Sequence, residues 1–412
     1  MTERAPDADD VVTHADVEAA RERLDGVVHR TPLDRSTTFA ERSGAASVGL
    51  KLENMQRTGS FKIRGAYNKM VGLSAAERER GVVAASAGNH AQGVALAGRL
   101  RDVETTVVVP EVTPAAKIEA TRGYGAEVRV EGDIYEESYQ RALDLADDSG
   151  AAFVHPFDDA AIIAGQGTVG LELREQYPEV DIVLVAIGGG GLISGVATAL
   201  KHDDPHVRVI GVQPEGAAHA KPSLDADEIR ELPGVDTVAE GIADTRLLEK
   251  TFAVARERVD DVVTVTDREL AAAVALLAER AKVVAEPAGA APLAALLSDD
   301  LDVAGEHVGV LISGGNVDLT DHGEIARQGL RELGRYAEVR LAVADWPTGL
   351  AAIAETVAVH GAELDAIEQA RPTETADPIR TPVAAAIAGS GPEHLAETLD
   401  GLDALDGVAV ED

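Results

Sequence analysis

Lys62 is the residue of this sequence that is best placed to act as a nucleophile. It lies in the segment ENMQRTGSFKIRGA, residues 53–66, of a chain in which only eight of the 37 basic residues are lysine. Gly59 permits a tight turn and Ser60 is a favourable N-cap, so the spacing predicts Lys62 at a helix start and at the mouth of a cleft. A partly desolvated lysine amine can form a Schiff base with a carbonyl compound. The alternative is a solvated lysine at an ordinary helix start.

A run of four glycines forms the second candidate element, in DIVLVAIGGGGLISG, residues 181–195. The pattern predicts a buried strand, a tight turn and a helix that begins near Leu192. Backbone N–H groups in such a turn, together with the helix dipole, can bind a phosphate. The dinucleotide fingerprint G-x-G-x-x-G fails in every frame of this segment, which disfavours a nicotinamide dehydrogenase. A single phosphate therefore fits this turn better than a dinucleotide.

Three shorter motifs place polar side chains at turns. In SAGNHAQG, Ser86, Asn89 and the N–H groups of the turn can hold an anion such as a carboxylate. In ISGGN, Ser313 can hydrogen-bond a ring atom of a cofactor or can cap a turn. In AEPAGA, Glu286 precedes a proline at a helix start, where an acid also complements the helix dipole. Together with Lys62 and the glycine turn, these groups describe a site for pyridoxal phosphate and an amino acid.

The elements that must position these residues alternate between strand and helix up to about residue 335. This alternation indicates an α/β protein with a largely parallel sheet. Several predicted strands end in a glycine turn that opens a helix, and in open α/β sheets ligands bind at the carboxyl ends of the strands. The predicted strands lie at 81–86, 104–110, 126–130, 181–188, 207–213 and 307–315, and the predicted helices at 91–100, 267–281 and 289–298.

The pattern changes after about residue 335, where lysine and glycine-rich turns disappear. The rest of the chain predicts strand, helix, strand, strand, helix and strand, which is a complete ferredoxin-like βαββαβ unit. We therefore expect a domain boundary near Tyr336 and a small C-terminal domain over 336–412.

The composition excludes several classes of protein. A formal net charge of −35 disfavours nucleic acid and anionic membrane as partners, and no apolar run approaches the length of a membrane helix. There is no cysteine, which excludes disulfides and a cysteine nucleophile. The polar, acidic N-terminus does not resemble a signal or transit peptide, so we expect a cytoplasmic protein. Scattered acids with scarce lysine are typical of a halophilic protein in a salt-rich cytoplasm, and the alternative is an ordinary acidic protein kept soluble by its charge.

In this order and spacing, KLENMQRTGSFKIRGA, SAGNHAQG, GGGGLISG, EPAGA and SGGN resemble the motifs of the threonine/serine dehydratases. These are fold-type II pyridoxal-phosphate enzymes of the tryptophan synthase β-like group. The likeness extends over roughly residues 13–325, and five ordered motifs are far more specific than one. It implies a catalytic domain over 1–330 of two α/β subdomains, with the smaller nested over 54–158. The segment 343–371 is similar to an ACT domain, an amino-acid-sensing module, although Thr348 interrupts the usual Pro-Gly pair.

The resemblance also implies roles for individual residues. Lys62 forms the Schiff base and then moves protons at the substrate. Phe61 and Asn89 contact the cofactor ring and its phenolic oxygen, and Ser313 meets the pyridine nitrogen. The residues expected to bind the phosphate are Gly188, Gly189, Gly190, Gly191 and Leu192, and those expected to contact the substrate are Ser86, Ala87, Gly88, Asn89, His90 and Glu286.

The implied activity is β-elimination of L-threonine to 2-oxobutanoate and ammonia, and of L-serine to pyruvate. A dehydratase for serine or 3-hydroxyaspartate stays open, because one methyl group gives only about 1–3 kcal/mol of discrimination. Ala87 stands where the serine racemases of this family carry a second serine, which disfavours racemisation. Ala218 and Lys221 stand where acids would be sought for a cation site, so no divalent metal is expected.

A non-catalytic amino-acid sensor, with the C-terminal unit as its working part, is the alternative from another functional class. The combination of Lys62, the glycine turn and Ser313 disfavours it, because a scaffold has no need for all three. A role in isoleucine biosynthesis or in threonine breakdown stays open. We expect a homo-oligomer, a dimer or tetramer, because sensing modules of this kind usually act by pairing, and an amino-acid effector is a candidate ligand.

Overall fold

The computed structural model describes residues 7–371 and 379–411. By their contacts the residues form two compact units, Met1–Asp318 and Leu319–Asp412. The amphipathic helix Leu319–Glu332 groups with the second unit, so the contact boundary lies ahead of Tyr336, where the composition changes. Within the described ranges, no helix is both long enough and apolar enough to cross a bilayer.

The first unit contains two sheets. Their strands are β1 (Leu33–Arg35), β2 (Ser47–Leu52), β3 (Val82–Ala85), β4 (Thr105–Val109), β5 (Glu127–Val130), β6 (Ala152–Phe153), β7 (Ile182–Ala186), β8 (Arg208–Pro214), β9 (Asp261–Val265) and β10 (His307–Ile312).

The larger sheet has the order β1-β2-β10-β7-β8-β9 and is parallel except for β1, which pairs antiparallel with β2. The smaller sheet has the order β5-β4-β3-β6 and is entirely parallel. The six strands predicted from the sequence are all present, and the α/β class with two subdomain sheets is confirmed. The central strand β7 is buried at every residue, as expected for a parallel strand covered on both faces.

Helices cover both sheets of the first unit. They are α1 (Ala8–Val11), α2 (His14–Leu24), α3 (Thr37–Ser43), α4 (Lys62–Val71), α5 (Ala75–Arg80), α6 (Asn89–Arg101), α7 (Ala115–Gly123), α8 (Tyr135–Ser149), α9 (Ala160–Gln176), α10 (Gly191–Asp203), α11 (Ala220–Asp225), α12 (Glu249–Arg258), α13 (Asp267–Leu276) and α14 (Pro287–Leu297).

The second unit begins with helix α15 (Leu319–Glu332) and then has the predicted ferredoxin-like order of elements. These are β11 (Tyr336–Val343), α16 (Gly349–Val359), β12 (Glu363–Gln369), β13 (Thr381–Ala388), α17 (Pro392–Asp403) and β14 (Val408–Glu411). The strands form one antiparallel sheet of order β12-β13-β11-β14. The βαββαβ prediction is confirmed, and an apolar core of this unit is built around Leu341, Ile353 and Ile387.

A buried ionic cluster fixes the position of α4. The guanidinium of Arg64 contacts Glu53 through two hydrogen bonds of 2.7 and 2.8 Å, and contacts Glu172 of α9 at 2.7 Å. Lys51 of β2 contacts the other oxygen of Glu172 at 2.5 Å. Burial alone would raise the pKa of Glu53, but the charge of Arg64 and its hydrogen bonds hold it below the usual value. Two elements of the larger subdomain, β2 and the short turn after it, are thereby tied to α4 and α9.

Candidate active site

Lys62 is the first residue of α4, and its side chain points into the first unit. Its Nζ donates a hydrogen bond to the carbonyl oxygen of Pro156 at 3.0 Å. Burial lowers the pKa of Lys62, although the negative charges of Asp244 and Glu286 oppose the shift. A lysine with a lowered pKa loses its proton more readily, and the neutral amine is the form that attacks a carbonyl carbon.

The four-glycine turn connects β7 to the start of α10. Gly190 has a φ of +88°, a left-handed conformation that favours glycine. A Cβ at Gly189 would lie 2.3 Å from the ring of Phe157, and one at Gly188 would lie 2.5 Å from Oδ2 of Asp244. The turn therefore has room only for backbone, whose N–H groups suit a small anion at a helix N-terminus. This turn and helix start contain all the predicted phosphate ligands, Gly188, Gly189, Gly190, Gly191 and Leu192.

A chain of hydrogen bonds joins three motifs that are far apart in the sequence. Asn89 donates through Nδ2 to Oε1 of Glu286 at 2.7 Å, and its Oδ1 accepts from Nδ2 of Asn316 at 2.7 Å. The amide of Asn316 also donates to the carbonyl oxygen of Thr58 at 2.6 Å. These bonds link the starts of α6 and α14 to the turn that precedes Lys62.

Ser313 follows β10 and is only 4% exposed. Its carbonyl oxygen accepts the N–H of Phe61 at 3.2 Å, and Ser60 pairs with Gly314 in an isolated antiparallel bridge. The ring centre of Phe61 lies 5.3 Å from Nζ of Lys62. The SGGN motif is therefore in direct contact with the backbone that presents the lysine.

Glu286 is the N-cap residue of α14 and lies beside the same chain of hydrogen bonds. Burial raises the pKa of Glu286 to about 7, and the hydrogen bond from Asn89 opposes part of that shift. Its carboxyl group is thus poised to exchange a proton near neutral pH. A carboxyl of this kind, close to a lysine of lowered pKa, is typical of a site that performs acid–base chemistry.

The segment Ser86–His90 contains the loop after β3 and the first two residues of α6. The Oγ of Ser86 accepts the N–H of Gly88 at 3.2 Å, while Ala87 is half-buried. His90 turns its ring inward, where Nε2 lies 2.9 Å from the carbonyl oxygen of Val154, and burial lowers its pKa to about 3. The imidazole is therefore neutral and held by the protein. Backbone N–H groups at the start of α6 suit an anion better than this ring does.

Four residues of the site were not selected from the sequence. Asn316 ends the SGGN motif, and the motif itself was the signal that could have identified it. Pro156 and Phe157 lie after β6 and Asp244 lies between α11 and α12, in segments without a recognisable chemical pattern. Their contacts with Lys62 and the glycine turn arise only from folding.

The arrangement fits pyridoxal phosphate. A lysine amine of lowered pKa is available for the aldehyde group, and a glycine turn that excludes side chains is available for the phosphate. The aromatic ring of Phe61 and the buried Ser313 lie on adjoining backbone, where they can contact a planar heterocycle.

The chain is similar to several known proteins. A family model described as pyridoxal-phosphate dependent enzyme matches residues 24–314. The L-threonine ammonia-lyase of Thermotoga maritima is 47% identical over 354 residues, which cover 86% of this chain and 88% of that protein.

Two solved structures are also similar. Maize serine racemase has a TM-score of 0.74 and 37% identity, covering 78% of this chain and 98% of that one. The processed form of threonine deaminase isoform 2 from Solanum lycopersicum has a TM-score of 0.73 and 37% identity, covering 76% of this chain and 91% of that one. With more than half of its length matched by the family model, the chain belongs to the pyridoxal-phosphate-dependent enzymes.

Proposed function

We propose that this enzyme is a lyase that converts L-threonine to 2-oxobutanoate and ammonia, and L-serine to pyruvate. The observation that carries the proposal is the position of Lys62, whose amine lies inside the first unit, with a pKa lowered by burial, among Asp244, Glu286 and the glycine turn. The identity to an L-threonine ammonia-lyase over most of both chains supports the same reaction.

Pyridoxal phosphate supplies an electron sink for the charge that develops when the α-proton of an amino acid is removed. In the proposed assignment, Lys62 holds the cofactor and then moves the proton at the substrate α-carbon. The glycine turn and Leu192 would hold the phosphate, Phe61 and Asn89 would contact the ring, and Ser313 would bond the pyridine nitrogen. A serine hydroxyl does not keep that nitrogen protonated as a carboxylate would, and such a shallow sink suits an elimination that expels the β-hydroxyl at once.

The substrate is proposed to bind at the segment Ser86–His90, with Glu286 nearby. The backbone N–H groups at the start of α6 suit the substrate carboxylate. Glu286 accepts a hydrogen bond from Asn89, so the protonation state of Glu286 affects a residue of the proposed substrate-binding segment. Serine or 3-hydroxyaspartate remains the alternative substrate. The three compounds differ only in the group on the β-carbon, so the residues that contact this carbon decide which one is preferred.

Racemisation is the rival activity, since maize serine racemase has a similar structure. Ala87 stands where the resemblance implies the second base of the serine racemases, and an alanine side chain has no proton to exchange. A racemase needs a proton donor on each face, whereas elimination needs only one base at the α-carbon. We therefore propose elimination as the main reaction.

The test is the visible spectrum of the purified protein in high salt as L-threonine is added. The proposal expects a yellow protein whose absorption band shifts with threonine while 2-oxobutanoate and ammonia appear. A yellow protein whose absorption band does not shift with threonine, but which is active on serine or 3-hydroxyaspartate, would show that threonine is not the substrate. A protein that stays colourless with added pyridoxal phosphate would overturn the assignment of Lys62.

We further propose that the second unit is an ACT-like regulatory domain that binds an amino-acid effector, and that the enzyme is a cytoplasmic homo-oligomer that acts in isoleucine biosynthesis or in threonine breakdown. The ferredoxin-like order of its elements supports the domain assignment. Titration calorimetry with individual L-amino acids would test whether an effector binds. A monomeric mass in solution at high salt would contradict the oligomer.

A further inference from the structure

Asp244 brings a carboxylate to the turn that we assign to the cofactor phosphate. A Cβ on Gly188 would lie 2.5 Å from its Oδ2, and the backbone N–H of Gly189 favours the ionised form of the same carboxylate. The side chain is half-buried and belongs to the segment between α11 and α12. The backbone groups that a phosphate would use are therefore already in contact with an acid of the chain.

The charges around Asp244 make this placement costly for an anionic ligand. Lys62 of α4 is the positive group that interacts with it, and Tyr135 at the start of α8 is the other titratable side chain that senses its charge. Burial raises the pKa of Asp244, whereas Lys62 and the N–H of Gly189 oppose that shift. An ionised carboxylate here repels a phosphate dianion, and weak solvation at the turn strengthens the repulsion.

We propose that Asp244 competes with the cofactor phosphate for the glycine turn and thereby limits how tightly the enzyme holds pyridoxal phosphate. The inference rests on the proposed function, because it takes the turn to be the phosphate site. Without cofactor, the carboxylate lies beside Gly188 and its negative charge interacts favourably with the charge of Lys62. When a phosphate dianion enters, Asp244 takes up a proton or leaves the turn.

The sign of the pH dependence follows from this competition. Where Asp244 is ionised in the free enzyme, phosphate binding is linked to proton uptake, so affinity rises as the pH falls. The effect disappears once the pH is low enough for Asp244 to be protonated before binding. Lys62 has the opposite effect on the affinity for a reactive aldehyde, which should rise with pH because Schiff-base formation needs the neutral amine.

A cofactor analogue without the aldehyde separates the two effects. We would titrate the cofactor-free enzyme with 4′-deoxypyridoxine 5′-phosphate, which cannot react with Lys62, and measure heat in buffers of different ionisation enthalpy. These data give both the affinity and the number of protons taken up. The variants are Asp244→Asn and, as a matched control, Asp236→Asn, which removes an exposed charge from the same segment.

Asp244→Asn is expected to bind the analogue about tenfold more tightly near pH 8. A tenfold change corresponds to a rise of about one unit in the pKa of Asp244 when the phosphate binds. The gain should shrink as the pH falls, proton uptake should decrease, and the Asp236 variant should match the wild type. Unchanged or weaker binding with unchanged proton uptake would overturn the inference. If Asp244→Asn does not fold, as judged by circular dichroism, Asp244→Ala tests the same expectation. Failure of the wild type to bind either the analogue or pyridoxal phosphate would instead defeat the proposed function.

Discussion

At the scale of single residues, the site depends on opposed charges held in a poorly solvated space. Burial favours the neutral forms of Lys62 and Glu286, while each charge stabilises the other. Removing one member therefore changes both the chemistry and the proton affinity of its neighbour. A substitution of Lys62 therefore tests catalysis, and a substitution of Glu286 tests the pH dependence of stability.

Lys62→Ala is expected to lower the rate of keto-acid formation from threonine by at least about 10³-fold, because it removes the group that holds the cofactor and moves the proton. The protein should also lose the absorption band of covalently bound cofactor while keeping its circular dichroism. Steady-state assays and visible spectra check both expectations.

Lys69→Ala is the matched control for Lys62→Ala. Lys69 lies on the same helix, α4, but contacts Asp159 at 2.6 Å and takes no part in the proposed site. It should keep the cofactor band and most of the activity. Retained turnover in the Lys62 variant would contradict the central assignment.

Glu286→Gln should remove a pH dependence of stability. The pKa of Glu286 is raised from 4.5 to about 7 on folding, so the unfolded chain ionises first as the pH rises. Stability from this residue is fully present below about pH 4.5 and is lost by about pH 7, by at most about 3 kcal/mol. Glutamine keeps an acceptor for Asn89 without the charge. Urea unfolding of the cofactor-free enzyme near pH 5 and pH 8 should show the wild type losing more stability than the variant.

At the scale of elements, the catalytic helix α4 is positioned by buried charges as well as by apolar packing. Arg64 is fully buried two residues after Lys62, and it ties α4 to Glu53 and to Glu172. A guanidinium can contact two carboxylates in fixed directions, which a lysine cannot do. This explains why an arginine follows so closely on the lysine in the FKIRGA motif.

Arg64→Met should lower the free energy of unfolding by about 3–5 kcal/mol, since it leaves Glu53 as an unpaired buried charge. Combining Arg64→Met with Glu53→Gln should recover part of that loss, because the carboxylate no longer needs a partner. Chemical denaturation of the two variants measures both quantities.

An exposed arginine provides the comparison for Arg64. Arg78→Met, on α5, should change stability by no more than about 0.5 kcal/mol. Equal effects at Arg64 and Arg78 would show that the ionic cluster does not hold α4.

At the scale of the whole molecule, the net charge of −35 is the dominant feature. Like charges on a folded chain repel one another, and the Debye length falls from about 10 Å at 0.1 M salt to about 3 Å at 1 M. Most ion pairs of the described residues lie at the surface, where screening also weakens them. The repulsion among unpaired acids is nevertheless expected to be the larger effect.

The thermal unfolding midpoint should therefore rise by at least about 5 °C when KCl is raised from about 0.05 M to about 1 M. Scanning calorimetry at constant pH and constant cofactor concentration measures it. Sucrose at equal osmolality serves as the control for solvent exclusion, and a midpoint that falls with salt would contradict the proposed halophilic adaptation.

The sequence by itself determined the elements that have strong local signals. The glycine run after an apolar strand predicted the turn and α10, and the regular alternation after residue 335 predicted the ferredoxin-like order. Strand β2 was not predicted, because Lys51 interrupts its apolar pattern. That lysine is buried because partners distant in sequence lie beside it, among them Glu172 and Gln176. The strands β1 and β6 are too short to show any periodicity.

Tertiary structure alone decided which groups surround Lys62. Sequence motifs contain the residues whose types the chemistry requires, so Asn89, Glu286 and Ser313 could be selected in advance. Pro156 and Asp244 carry no such pattern, and they reach the site because parallel strands bring distant loops to one edge of a sheet. The pKa values that govern the chemistry likewise depend on burial and on neighbouring charges, which exist only in the folded chain.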